Sequence, residues 1–397
     1  MILNPVSYLD CIVFCIFLAP QLLIHVGVLE TISVVLQCLP FLLLELPHSF
    51  IRERFLSKYE DRSPFVQQAS PFEDFVIRCV RYAFANIPPK VGRVFFSKQV
   101  AVPFLRFRML RHGYIRPPVH WHEHRDKRFR GIWIVHNPRR KPDLCVYYAH
   151  GGGFSMGSPH FYLEFLISWL DLLKKAGYEN PSIFALEYTL VPDDNFPRQL
   201  EEAIAGYEHV LSRVDGPRKV CVGGDSAGAT IILSLLLHLA NKDSDLDTAD
   251  GFEKGRLAKP GLAVLISPWV ALVSERYHNT KSDYLDTRRL HIYAEEYAGG
   301  TISPNDYLRS PGQCRDISWW RRAWPLHGLF VMYGNEEVFA PEIGELVQFW
   351  KRGGINVTSR WDFGSVHAWA IASLFLSDSN ERLKGLRALV QAIRDNI

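Results

Sequence analysis

Between residues 144 and 394 the chain repeats one pattern: a short apolar run rich in β-branched residues, then a longer stretch with helical spacing. The runs are LCVYYAH (144–150), SIFALEY (182–188), KVCVGGD (219–225), LAVLISP (262–268), LFVMYG (329–334) and INVTSRW (355–361). Helical periodicity fills most of the gaps, at 161–175, 199–212, 230–240, 342–352 and 367–375, and a last helix is expected over 380–394. Strands that are apolar on both faces need cover on both faces, and helical crossovers make neighbouring strands parallel. The pattern therefore predicts an α/β domain with a mostly parallel central sheet and helices on both sides. The one long break, residues 274–325, is rich in Tyr, Trp and Arg and is expected to be a cap or lid lining a pocket.

Composition narrows the function classes. A net charge of +3 gives no ground for a nucleic-acid partner. The seven cysteines are scattered without paired spacing, which predicts neither a zinc site nor a disulfide framework but free, mostly buried thiols. Residues 106–141 carry eleven Lys or Arg against Glu123 and Asp126. Pro117, Pro118 and Pro138 punctuate them like a solvated pair of edge strands. Within that stretch HWHEH puts His120, His122 and His124 on one strand face, yet no carboxylate or cysteine at ligand spacing joins them, so no metal and no cofactor is expected.

The first 46 residues are of another kind. Residues 11–29 hold no Asp, Glu, Lys or Arg over 19 positions, nearly enough for a helix to cross a bilayer's hydrocarbon core of about 30 Å. A shorter apolar stretch, 31–44, follows Glu30. No small-residue cleavage site stands out, so a retained membrane anchor is expected over 1–46, followed by short linking helices over 47–100 that contribute to the cap. A buried or interfacial hairpin is the alternative, because Pro20, Gln21, His25 and Pro40 lower the apolar quality. Arg52, Arg54, Lys58 and Arg62 after a single span would leave the following domain in the cytoplasm, whereas the NVT sequon at Asn356 matters only in a lumenal domain.

Two glycine-rich turns carry the chemistry. In CVGGDSAGAT, Ser226 lies between Gly224 and Gly228 where a strand passes sharply into a helix, an arrangement that exposes a hydroxyl at the sheet's C-terminal edge beside a helix N-terminus. In YAHGGGF, residues 148–154, successive glycines leave backbone N–H groups unobstructed. Acyl transfer needs such donors where a carbonyl oxygen becomes an oxyanion, so Gly152 and Gly153, with Ala227, are the expected donors and His150 a brace for the loop. A serine hydroxyl needs a base, and the base an orienting carboxylate, in the order serine, acid, histidine on successive post-strand loops. His367 in FGSVHAWA follows the last expected strand. The acid is sought in NEEVFAPE, where Glu337 is favoured, Glu336 is the alternative and Glu342 falls on the next helix.

These residues resemble the hormone-sensitive-lipase-like, HGGG-bearing branch of the α/β-hydrolase superfamily. HGGGF (150–154), EYTLVP (187–192), GDSAG (224–228), SPW (267–269) and VHAW (366–369) match that branch in order over roughly residues 100–397. The resemblance implies an α/β-hydrolase catalytic domain over 101–397, with Ser226 as nucleophile, His367 as base and Glu337 as acid. It departs at the acid. Most of the branch has Asp there, followed by leucine two residues on and a second Asp, where this chain has EVFAP. Glutamate at that place is similar to fungal membrane-anchored members, the steryl acetyl hydrolases and secondary-metabolite esterases among them. That similarity implies a serine esterase of the endoplasmic-reticulum membrane with a lumenal catalytic domain, removing a short acyl group from an apolar alcohol. An amidase or formamidase using the same residues, and a small-molecule-binding protein on a hydrolase scaffold, are the alternatives.

Overall fold

The computed structural model describes residues 1–240, 257–300, 306–378 and 381–397. Eight strands form one sheet: β1 (His120–Arg125), β2 (Arg130–Val135), β3 (Leu144–Ala149), β4 (Pro181–Glu187), β5 (Val220–Asp225), β6 (Leu262–Ile266), β7 (Leu329–Gly334) and β8 (Val357–Asp362). Their order is β1-β2-β4-β3-β5-β6-β7-β8. β2 runs antiparallel to both β1 and β4, and every other pairing is parallel. The six expected strands are β3 to β8, and the punctuated basic stretch supplies β1 and β2, although residues 106–111 belong to the helix Lys98–Arg111.

Alternation along the strands divides the core. On β3, Cys145, Tyr147 and Ala149 face one layer, with the helices Arg198–Leu211, Ser226–Ala240 and Ala340–Arg352. Leu144, Val146 and Tyr148 face the other, with the helices Leu163–Lys175, Trp369–Leu376 and Lys384–Arg394. A period of two sends successive side chains to opposite faces, and each face is closed by an amphipathic helix layer. The sheet order reverses between β3 and β5, and ligands of such sheets bind outside the strand C-termini at that switch.

Several expectations need correcting. The apolar run 11–29 is not one helix: Gly27, at φ 104°, separates Tyr8–His25 from Val28–Pro40, and the helical path continues through wider turns to Leu56. A φ in that range suits glycine because no Cβ meets the following carbonyl. The break turns the expected single span into a helix pair that ends beyond residue 46. The break in the strand-helix rhythm at 274–325 also divides into two parts. Tyr284 meets His367, Tyr293 lies against Gly153 and Tyr297 stacks on Phe154, so the first part lies over the C-terminal edge of the sheet. Trp320 and Trp324 instead pack edge-on against Trp350, and Trp319 donates to the Leu237 carbonyl, so this second part covers the core. Of the triplet on β1, His124 stacks on His209 at 4.2 Å and lies against Phe129, which makes it a packing residue. Cys145, Cys221 and Cys314 are buried free thiols, whereas Cys15 is exposed.

A buried arginine is the centre of the contacts that tie residues 1–10 into the domain, with Arg111 on Asp10 and the Met1 amino group on Asp171 beside it. Arg108 is fully buried, donates to both Glu164 oxygens at 2.9 and 2.7 Å and to the Asn4 carbonyl at 2.7 Å, and lies 3.3 Å from Asp10. Removing one partner of such a cluster leaves uncompensated buried charge. Arg108→Leu is expected to cost about 3–5 kcal/mol, read as a lower urea midpoint.

Candidate active site

At the end of β5 the backbone turns so tightly that Ser226 adopts φ 52°, a left-handed conformation that costs about 1–3 kcal/mol outside glycine. The flanking glycines are needed by close approach rather than by flexibility. A Cβ on Gly228 would lie 2.1 Å from the Ala149 carbonyl oxygen, and one on Gly224 2.7 Å from the same atom. The helix start carrying Ser226 thus presses against the end of β3. There Gly152 (φ 121°) and Gly153 (φ 61°) form the loop, and a Cβ on Gly152 would lie 2.2 Å from the Met156 carbonyl oxygen. Among the described residues, neither Gly152 N–H nor Gly153 N–H has a backbone acceptor. Ala227 lies in the first helical turn, whose N–H groups lack intrahelical partners.

Asp225 locks these two turns together. Its Oδ1 accepts from the Tyr148 hydroxyl at 2.7 Å and the Gly151 N–H at 2.9 Å, and its Oδ2 from the Tyr162 hydroxyl at 2.8 Å. His150 is buried beside them, its ring stacked on Tyr188 at 4.5 Å and its Nδ1 2.8 Å from the Gly151 carbonyl. Burial pushes its pKa down to about 4, so it stays neutral.

The loops after β7 and β8 bring Glu337 and His367 together, with Glu337 Oε2 3.5 Å from His367 Nδ1 and both residues buried. Glu336 points elsewhere, accepting from Ser282 Oγ at 3.0 Å, and Glu342 accepts from Ser274 Oγ. Burial raises the Glu337 pKa to about 8, against the hydrogen bonds that favour its charged form. Burial also lowers the pKa of His367, opposed by the charges of Asp283 and Asp225, which favours a neutral imidazole. Phe339 and Tyr284 contact the imidazole edge-on at 5.1 and 5.7 Å, and Trp269 stacks on Phe339. A serine at a strained turn, free backbone donors and a carboxylate-histidine pair at one sheet edge suit acyl transfer.

The family profile of the α/β-hydrolase fold matches residues 146–371. The chain belongs to the α/β-hydrolase family. A Streptomyces hygroscopicus acetyl-hydrolase is 30% identical over 60% of this chain and 71% of its own length. A Schizosaccharomyces pombe protein, assigned by name as a steryl acetyl hydrolase, is 27% identical over 53% of this chain and 55% of its own length. The solved structure of an esterase from the bacterial hormone-sensitive lipase family superposes with TM-score 0.60 at 20% identity, covering 83% of this chain and 99% of that one.

Two residues of this α/β-hydrolase site had no role assigned from sequence. Ser267, at φ 45° after β6, donates its hydroxyl to Glu337 Oε2 at 2.6 Å and accepts the Ala368 N–H at 3.0 Å. It thereby joins the acid loop to the histidine loop. The SPW motif marked its position without saying what the hydroxyl touches. Asp283, buried in the segment between β6 and the helix Thr287–Ala298, accepts the His367 N–H at 2.9 Å and the Val338 N–H at 2.8 Å. Nothing in the strand-loop order pointed to it, because it reaches the site from outside the sheet. Ser267→Ala leaves the Ala368 N–H without its acceptor and Glu337 without its hydroxyl donor. It is expected to lower unfolding free energy by about 1–3 kcal/mol in urea melts.

Proposed function

We propose that Ser226 attacks the carbonyl of a short-chain ester, with His367 as general base, Glu337 as the acid that orients it, and the N–H groups of Gly152, Gly153 and Ala227 as oxyanion donors. The enzyme class is a carboxylic-ester hydrolase. The observation that carries the assignment is the 3.5 Å approach of Glu337 to His367 Nδ1. Nδ1 held towards the carboxylate leaves Nε2 as the nitrogen that takes the serine proton. In the first half, Ser226 Oγ bonds to the acyl carbon, its proton passes to His367, and that proton goes on to the departing alcohol oxygen. In the second half, water attacks the acyl-enzyme, its proton passes through His367 to Ser226 Oγ, and the carboxylic acid leaves. The alcohol is apolar, in keeping with the aromatic surroundings of the imidazole and the exposed apolar helix pair. The acyl group is acetyl, the group named for the Streptomyces and Schizosaccharomyces relatives. Sterols and apolar secondary metabolites carry alcohols of this kind.

A p-nitrophenyl ester series from acetate to octanoate, run on detergent-solubilised protein, tests the reading. Rates are expected to be highest on acetate and to fall with chain length. Ser226→Ala is expected to lose about 10⁴-fold or more, and Glu337→Gln about 10²–10⁴-fold. Glu336→Gln is expected to stay within about tenfold of the parent. Because the Glu337 pKa is raised, the carboxyl holds its proton at lower pH, and kcat/KM should rise as pH passes about 8. Glu337→Gln should flatten that rise. Cleavage of aryl amides but no ester would move the protein to the amidases. No serine-dependent turnover of either would make it a binding protein.

The reading extends to location: an enzyme attached to the endoplasmic-reticulum membrane with its catalytic domain in the lumen. Asn356 of the sequon is exposed at the start of β8, where an oligosaccharyltransferase can reach it. A mass shift removed by endoglycosidase, and lost in Asn356→Gln, is the expected result. An unglycosylated parent would place the domain in the cytoplasm.

A further inference from the structure

The helices Tyr8–His25 and Val28–Leu56 are long and apolar enough to cross a membrane, yet their mounting on the catalytic domain does not suit a span. Ahead of the first helix, Met1 and Leu3 are buried in the core layer that holds Leu105 and Met109. The Val6 N–H donates to the Phe375 carbonyl at 2.7 Å, and Arg108 holds Asn4 and Asp10. Midway, Phe14 packs on Phe95 and Phe104. At the turn, Lys90 Nζ donates to the Val26 carbonyl at 3.1 Å and to Glu30 at 2.9 Å. On the return, Tyr82 stacks on Phe41 at 4.0 Å, and Glu53 pairs with Arg78 at 2.9 Å. The start, the turn and the end of the hairpin are all fixed to one domain, so none of them can lie on the far side of a bilayer from the others.

The outward face supplies the second observation. Asp10, Glu30 and Glu53 are each paired to a basic residue of the domain, while Leu29 is 85% and Leu44 70% exposed. Charge towards the protein and leucine away from it is the reverse of a water-facing helix, and it is the arrangement that lipid rewards. Exposed Glu45 and Arg52 lie towards the end of the second helix. Such charges would be costly inside a span but are ordinary at headgroup depth.

We propose that the hairpin lies in the plane of a bilayer surface, its outward apolar face inserted into one leaflet, with residues 1–7, the turn and the catalytic domain all on the same side. This rests on the membrane-attached reading above and replaces the span with an in-plane seat. The helix Pro71–Asn86 then links seat and site. It carries Arg78 and Tyr82 against the hairpin, while Phe84 packs edge-on to Tyr293 of the cap and Arg81 donates to the Asp283 carbonyl at 2.7 Å. An ester dissolved in that leaflet would meet the enzyme at the helix that abuts its cap.

Two measurements separate the seat from attachment itself. Flotation with phosphatidylcholine vesicles tests attachment. The parent is expected to float, and a Leu43→Asp, Leu44→Asp double variant to lose about tenfold of the floating fraction while keeping its hydrolysis of p-nitrophenyl acetate. A parent that stays at the bottom, or forms dimers that shield the face, overturns both readings. Labelling with a membrane-impermeant maleimide tests the geometry. Asn4→Cys, His25→Cys and Lys58→Cys are made singly, with Cys11, Cys15, Cys38 and Cys79 replaced by alanine, and probed in sealed microsomes. All three are expected to react alike, together before permeabilisation or together only after it. One position reacting on the opposite side from the others would show a span and overturn the in-plane seat while leaving attachment standing.

Discussion

The carboxylate of Asp225 ties the end of β3 to the end of β5, and the geometry of the site follows from that tie. Its three donors come from Tyr148 on β3, Gly151 at the head of the glycine loop and Tyr162 ahead of the next helix. A buried carboxylate is tolerated only when its lone pairs are met, and meeting them here forces the glycine loop against the turn that carries Ser226. The closeness is such that a Cβ on Gly151 would lie 2.2 Å from Asp225 Oδ2. The loop's free N–H groups and the serine are therefore set by one buried carboxyl group rather than by the loop's own preference.

The opposite half of the site has its own lock. Glu337, Ser267, Asp283, Ala368 and His367 form a polar network that closes the loops after β6, β7 and β8 on one another, with the long segment after β6 contributing Asp283. The non-glycine residues at positive φ among the described residues are Phe154, Ser226, Ser267 and Ala368, each close behind a strand at this edge. Strain gathered at one edge persists only where surrounding structure over-determines it, and these two polar locks supply that.

The hairpin shows the same logic on a larger scale. Apolar side chains alone would let residues 8–56 be a span, a soluble core helix or a surface helix. Arg108, Lys90 and Arg78 pin the start, turn and end of the hairpin to the domain, a constraint that apolar pattern does not carry.

Much of this was legible in the residues themselves. Six strands, the helices after most of them, the serine turn and the glycine loop were all marked by local patterns: apolar runs, a period of 3.6, and glycines where a Cβ has no room. Sequence favoured Glu337 but kept Glu336 as the alternative, since adjacent glutamates share most local properties. The fold buries Glu337 against His367 and turns Glu336 to Ser282. Asp283 was out of reach for the same reason, because it joins the histidine loop across 84 positions of chain. Gly27 was visible as a residue but not as the turn that splits the apolar run. Sequence by itself determined what is local, which is the rhythm of elements and the steric need for glycine. Only the fold decided which distant charges meet, because hydrogen bonds and ion pairs across the sheet depend on register and loop closure that no short stretch encodes.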